Sequence, residues 1–210
     1  MALNDRDVVA TLASVTTATL TTLLLKKGLR NVWMRGTRPL EPGQPRLVGR
    51  AFTLRFVPAR EDLATPESWS KPISTRAAIE AMPEGCICVA DAMGVTDGVV
   101  RDVAGVRATG LPVWCQGAAA PPSVAGLTFV NWNEPIGCGG VAVFPDDWVV
   151  VDDDGAVLVP AALIEDICAA APEQERLEGW IMSEVEKGAS LPGLYPPNAE
   201  NKARYEKSRG

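Results

Sequence analysis

The chain has 210 residues, enough for one domain with arms, and 47% of them are hydrophobic. Its 26 acidic residues against 20 basic ones give a net charge of −6. That balance argues against a nucleic-acid groove, which needs clustered excess Lys and Arg. One local Arg can still hold a carboxylate on an acidic protein. The chain contains no His, which removes Ser–His and Cys–His catalysis in their usual forms. Acid–base work then falls to carboxylates, Lys, Tyr, Cys or water.

Residues 5–27 read as helical, capped by Asn4 or Asp5. The Thr-rich "SVTTATLTT" predicts a break near residues 14–17, and Gly28 after Lys26 and Lys27 is a stop. This start lacks a basic leader and carries Asp5 and Asp7, so no secretory signal is expected. No apolar run is long enough to span a bilayer. "TRPLEPGQPRLVG" holds three Pro and two Gly and predicts a loop; "RAFTLRFVPA" alternates and predicts a strand. "REDLATPESWSKP" is a polar loop, "ISTRAAIEAM" a short helix and "CICVADAM" a buried strand. Cys86 and Cys88 share one face of that strand, but a zinc site would want further ligands. Five Cys, an odd number, fit reduced thiols in the cytoplasm.

"GVVRD" ends a strand, "VAGVRAT" forms a short helix with Asp102 as N-cap and Gly110 as stop, and "LPVWCQG" is the next strand. A strand–helix–strand unit implies parallel strands and a right-handed crossover. Residues 127–160 form short strands with turns at 135–140, 145–147 and 153–155. The acidic run 152–154 lacks EF-hand spacing and reads as a polar turn. "PIGCGG" lacks the Lys and helix of a P-loop and reads as a tight turn. The six Trp read as core or interface anchors. "AALIEDICAAAPEQERLEGWIMSEVEKG" predicts a long helix that Pro172 kinks or splits. Residues 191–210 predict an extended arm packing on a neighbouring subunit, after a domain over 1–190.

Arg101 and Asp102 stand at the strand-to-helix joint. Carboxyl ends of parallel strands are where open α/β sheets bind ligands. Arg offers a planar fork for a carboxylate or enolate, and Asp is a hard oxygen ligand for Mg²⁺ or Mn²⁺. A capping Asp beside a solvated Arg is the alternative.

The segments "SVTTATLTTLLLKKGLRNVWMRGTRPL", "VGRAFTLRFVPAREDL", "VTDGVVRDVAGVRATGLPVWCQG" and "PIGCGGVAVFPDDWVVVDDDGAVLVP", in this order, resemble the RraA-like family. That family includes 4-hydroxy-4-methyl-2-oxoglutarate aldolases and the regulator of ribonuclease activity A. The resemblance implies a single α/β domain, a swivelling-domain-like β core with flanking helices. It implies a homotrimer or homohexamer with sites at subunit interfaces. It implies Mg²⁺ or another divalent cation on Asp102, with Arg101 as the substrate-binding and catalytic residue. The reaction implied is lyase chemistry on a small 2-oxo acid, releasing pyruvate, with oxaloacetate decarboxylation at the same site. No nucleic-acid or membrane partner is expected.

One departure stands out. Aldolases of the family carry a Gly-acid-x-Leu segment, roughly twenty residues before the Arg–Asp pair by motif spacing, whose backbone N–H groups hold the substrate carboxylate. Nothing between Asp91 and Arg101 matches it. A block is missing between "ADAMGVTD" and "GVVRD", and the helix it would open is missing with it. A regulatory or binding protein without chemistry is therefore the rival expectation.

Overall fold

A computed structural model describes residues 3–91 and 95–209. Three helices, α1 (Asp5–Ala13), α2 (Thr17–Lys26) and the later α5 (Ile164–Glu186), cover one face of the sheet. Asn4 caps α1 by accepting from the Asp7 N–H, and Thr16 caps α2 by accepting from the Thr19 N–H, so the expected break near residue 14 is present. The apolar spacing explains the burial. Val8, Leu12, Leu20 and Leu24 point at Trp148, Val150, Val157 and Ile167 in one continuous core.

The strands follow as β1 (Trp33–Met34), β2 (Arg38–Pro39) and the long β3 (Leu47–Pro58). After α3 (Thr75–Glu80) come β4 (Ile87–Ala90), β5 (Val95–Thr96) and β6 (Val99–Val100). Helix α4 (Val103–Thr109) leads to β7 (Trp114–Cys115) and β8 (Gly117–Ala118). Then come β9 (Leu127–Trp132), β10 (Ile136–Cys138), β11 (Val141–Val143), β12 (Trp148–Asp152) and β13 (Gly155–Val159). The main sheet runs β1-β13-β12-β3-β4-β5-β7-β2, with β9 on the far half of β3. The predicted parallel unit is present: β5 pairs parallel with β7, and β6 with β8. The β10–β11 hairpin covers the other face, and Cys138, Val141 and Val143 bury against Val89, Val149 and Val151.

"WVVVD" and "GAVLV" are buried at every position, as expected of strands covered on both faces. Asp152, read as turn polarity, is instead a buried brace. Its carboxylate accepts from the Thr17 N–H at 2.9 Å, the Thr17 hydroxyl at 2.7 Å and the Asp154 N–H at 3.0 Å. It thereby ties α2 to the β12–β13 turn. Asp152→Ala strands those donors at about 1–3 kcal/mol each. A loss of about 3 kcal/mol lowers the melting temperature by roughly 6–12 °C, at the 2–4 °C per kcal/mol of a domain this size; calorimetry reads it. Asp152→Asn, which keeps an acceptor, loses less.

Two C-terminal expectations need correction. Pro172 does not split its helix: α5 runs 23 residues through it. The cost of an interior Pro, about 3 kcal/mol, is offset because Ile167, Cys168, Ala171 and Ile181 are all buried. The arm is not extended either. Residues 191–209 fold back on α5 of their own chain, ending in α6 (Ala199–Ser208). Leu194 is buried, the Tyr205 ring lies 5.5 Å from that of Trp180, and the Tyr205 hydroxyl donates to Glu173 at 3.0 Å. Asn198 caps α6 by accepting from the Asn201 N–H. Leu191 and Tyr195 stay exposed.

Candidate active site

Strand β6 delivers Arg101 and Asp102 to the surface. The Val100 carbonyl accepts from the Ala119 N–H at 2.8 Å, so the strand is held up to the residue before the pair. The approach is fixed as well. The Thr96 hydroxyl accepts from the Gly98 N–H, the Gly98 carbonyl accepts from the Gln116 N–H, and the Asp97 carboxylate accepts from the Gly139 N–H at 2.9 Å. Asp97 thus clamps the β5–β6 loop to the turn of the β10–β11 hairpin.

Asp102 occupies the N-cap position of α4, but its side chain makes no capping bond. Its backbone is left-handed, with φ 56° and ψ 39°. Such a conformation is uncommon outside Gly, though Asp tolerates it better than most. Its carboxylate instead lies 3.0 Å from Arg101 Nε. The two side chains are 46% and 72% exposed, so the ion pair itself stabilises by only about 0–1 kcal/mol. Neither the capping role nor fold stability accounts for the arrangement. A strained backbone at the carboxyl end of a parallel strand is a pattern that goes with function.

Asp91 and Asp97 lie close enough to act on each other, a juxtaposition that sequence reasoning missed. Asp91 accepts from the Phe56 N–H at 2.6 Å, and burial pushes its carboxyl above the usual range against the opposing effect of that bond. Burial, with Asp97 nearby, pushes the Cys138 thiol up to about 12, so it is neutral at physiological pH and no nucleophile. A carboxyl raised on folding holds its proton more readily when folded. Its favourable contribution is complete below the ordinary carboxylate pKa and is lost as pH rises through the raised value. Asp91→Asn keeps an acceptor for Phe56. It should raise the melting temperature more at pH 7 than at pH 4, read by parallel thermal scans.

Among the described residues, no three of His, Cys, Asp and Glu converge as a metal cluster. A caged site is therefore not what Asp102 offers. Mg²⁺, however, keeps several waters and takes only one or two carboxylates, and an exposed Asp102 fits that role. Neither of the two best-formed clefts among the described residues is lined by Arg101 or Asp102. One of them, about 170 Å³, lies between Phe56, Trp69 and Phe129. The Gly-acid-x-Leu segment has no counterpart, and residues 92–94 of that joint lie outside the described residues.

These features define an α/β protein with a swivelling-domain-like β core and a polar pair at the carboxyl end of a parallel strand. Residues 92–158 match the family model described as "RraA-like: Aldolase/RraA". Over 82 residues it is 34% identical to the "Putative 4-hydroxy-4-methyl-2-oxoglutarate aldolase" of Halalkalibacterium halodurans, covering 39% of this chain and 38% of that one. The matched stretches span 38% and 28% of the two curated relatives. The crystal structure of Streptomyces coelicolor RraAS2, described as an unusual member of the RNase ES inhibitor RraA family, superposes with a TM-score of 0.72 at 29% identity, covering 86% of this chain and 98% of that one. An uncharacterised protein of Pseudomonas syringae pv. tomato shares the fold with a TM-score of 0.76 at 21% identity, over 94% and 96% of the chains.

Proposed function

We propose that the chain is a divalent-cation-dependent lyase of the class II aldolase type. It would cleave a 4-hydroxy-2-oxo acid such as 4-hydroxy-4-methyl-2-oxoglutarate to pyruvate, and decarboxylate oxaloacetate at the same site. The observation that carries this reading is the exposed Arg101–Asp102 pair, held on a left-handed backbone with its carboxylate free of capping duty. The name of the Halalkalibacterium halodurans relative supports it.

Retro-aldol cleavage breaks the C3–C4 bond and sends its electron pair to the C2 oxygen. The C4 hydroxyl gives up a proton, and protonation at C3 completes pyruvate. Arg101 supplies a fixed positive charge and a two-pronged donor beside the substrate carboxylate and C2 oxygen, where negative charge grows. Asp102 would hold Mg²⁺, Mn²⁺ or another divalent cation. Such an ion, when bound, draws charge from the C2 oxygen. The Asp97 and Thr96 bonds keep the loop, and so the pair, in place.

The pair is open to solvent, which suits a homotrimer or homohexamer whose neighbour closes the site. Five free thiols suit the cytoplasm. Among the described residues no single helix is long and apolar enough to cross a membrane.

A second reading has its own support. The stretch from Asp91 to Arg101 is too short to carry the segment that cradles a substrate carboxylate, which favours a regulatory or binding protein without chemistry. A pyruvate assay coupled to lactate dehydrogenase, run with Mg²⁺ and with chelator, separates the two. Chelator-sensitive pyruvate supports the lyase. No pyruvate with either supports the binding protein.

A further inference from the structure

The cavity of about 170 Å³ beside Phe56 has a floor of sheet and a rim of loop. The floor comes from the antiparallel β3–β9 pair, where Phe56 stands opposite Phe129 and Pro58 opposite Leu127. The register of that pair shifts between Arg55 and Phe56, and such a bulge re-aims the side chains beside it. The Phe56 and Phe129 rings meet edge to face with centroids 5.2 Å apart, a packing that fixes both. The rim comes from residues 63–75. Its 3₁₀ turn, Pro66–Ser70, brings Trp69 to the cavity, and the Arg76 guanidinium lies 5.5 Å from the Trp69 ring and steadies it. Leu63 and Ile73 line the same space, yet they are 44% and 55% exposed and join none of the core clusters of the described residues. The rim thus turns apolar surface toward a hollow that its own chain does not fill.

The charge around this hollow is one-sided. The chain as a whole carries −6, but no Asp or Glu is among the described residues that line the cavity, and Lys71 is. Among the described residues Lys71 has no carboxylate partner. Two lining hydroxyls add donors. Ser74 Oγ accepts from the Ala77 N–H at 3.3 Å, and Thr128 Oγ1 accepts from the Arg60 N–H at 2.8 Å. Each bond uses a lone pair and not the O–H, so each hydroxyl keeps a hydrogen to donate.

We propose that this cavity binds an aromatic monocarboxylate, a single ring bearing one carboxylate, of which benzoate is the simplest. The ring packs among Phe56, Trp69 and Phe129, and the carboxylate faces Lys71 and the lining hydroxyls. Size sets the limit: an apolar cavity of about 150 Å³ admits benzene, so one ring with a small substituent fills this one. Charge sets the number of carboxylates. One cation balances one anion, and a second carboxylate would be desolvated against aromatic walls with nothing to pair it. The 4-hydroxy-2-oxo acids of the lyase reading have no ring, and neither Arg101 nor Asp102 lines this cavity. The site is therefore a second one, and the inference does not depend on that reading.

Calorimetric titration of the full chain with sodium benzoate tests it. One saturable site per chain is expected, with a Kd of about 0.1–1 mM, the range for so small a ligand. Benzamide keeps the ring without the charge, and acetate keeps the charge without the ring. Each should bind at least about 10-fold more weakly than benzoate. Lys71 is exposed, so Lys71→Gln leaves the fold intact. It should weaken benzoate about 3–10-fold and leave benzamide unchanged, a split that a merely structural effect would not produce. Trp69→Ala should weaken both ring compounds, and Asp102→Ala should bind benzoate as the parent does. No saturable heat up to about 10 mM benzoate overturns the proposal. So does equal affinity for benzoate and acetate, or unchanged benzoate affinity in Lys71→Gln. Loss of binding in Asp102→Ala also overturns it, since the carboxylate would then sit at the Arg101 corner.

Discussion

Asp102→Ala is expected to reduce pyruvate formation by more than about 100-fold while leaving the melting temperature within roughly 1–2 °C of the parent. Loss of a residue that merely orients a metal ligand already costs 10–100-fold, and Asp102 would be the ligand itself. The fold has little to lose. The side chain is 72% exposed, makes no capping hydrogen bond and pairs with Arg101. Exposed pairs of this kind stabilise by about 0–1 kcal/mol. Arg101→Ala should cost about 10²–10³-fold, the usual loss for one donor aimed at a developing oxyanion. Arg101→Lys should recover little, since a point charge cannot copy a planar fork. Steady-state assays of the three variants beside thermal scans check this. Full activity in Asp102→Ala removes the assignment.

The largest structural effect is expected at Gly139. This residue turns β10 into β11 with φ +57°, and its N–H is the group Asp97 grips. A Cβ there would lie 2.3 Å from the Arg35 nitrogen, 2.5 Å from the Met34 carbonyl carbon and 2.7 Å from the Arg35 oxygen. All three are backbone atoms, so no side chain can swing aside. Gly139→Ala should destabilise by about 3 kcal/mol or more, combining strain with a steric clash in a packed core. Gly137, two residues earlier, has open space where a Cβ would stand. Gly137→Ala should therefore be close to neutral. Denaturant titration of the two variants makes the comparison, and equal losses would mean that the hairpin does not dock as described. Because Asp97 also fixes the loop before β6, Gly139→Ala should weaken the site beyond its effect on stability.

Much of this architecture is legible in the residues. The break between α1 and α2 follows from Thr16 as a cap, and the parallel β5–α4–β7 unit follows from an apolar run, a short helix and a second apolar run. The tight turn at Gly139–Gly140 follows from paired glycines. What stays hidden is long-range. Asp97 and Asp91 look like loop polarity, yet one holds a hairpin 42 residues away in sequence and the other a strand 35 residues away. No local pattern encodes those partners. The C-terminal arm is polar enough to suggest solvent, and only the meeting of Tyr205 with Trp180 and Glu173 shows why it returns to α5. At the site, the adjacency of Arg101 and Asp102 is plain in sequence. The left-handed backbone that frees the carboxylate from capping is not, because Asp at a helix start ordinarily caps.

The most direct test of the central claim is a crystal of this chain soaked in Mg²⁺ and pyruvate. The lyase reading predicts an ion bound by Asp102, with the pyruvate carboxylate facing the Arg101 guanidinium. An empty corner, with the two side chains still paired only to each other, would contradict it.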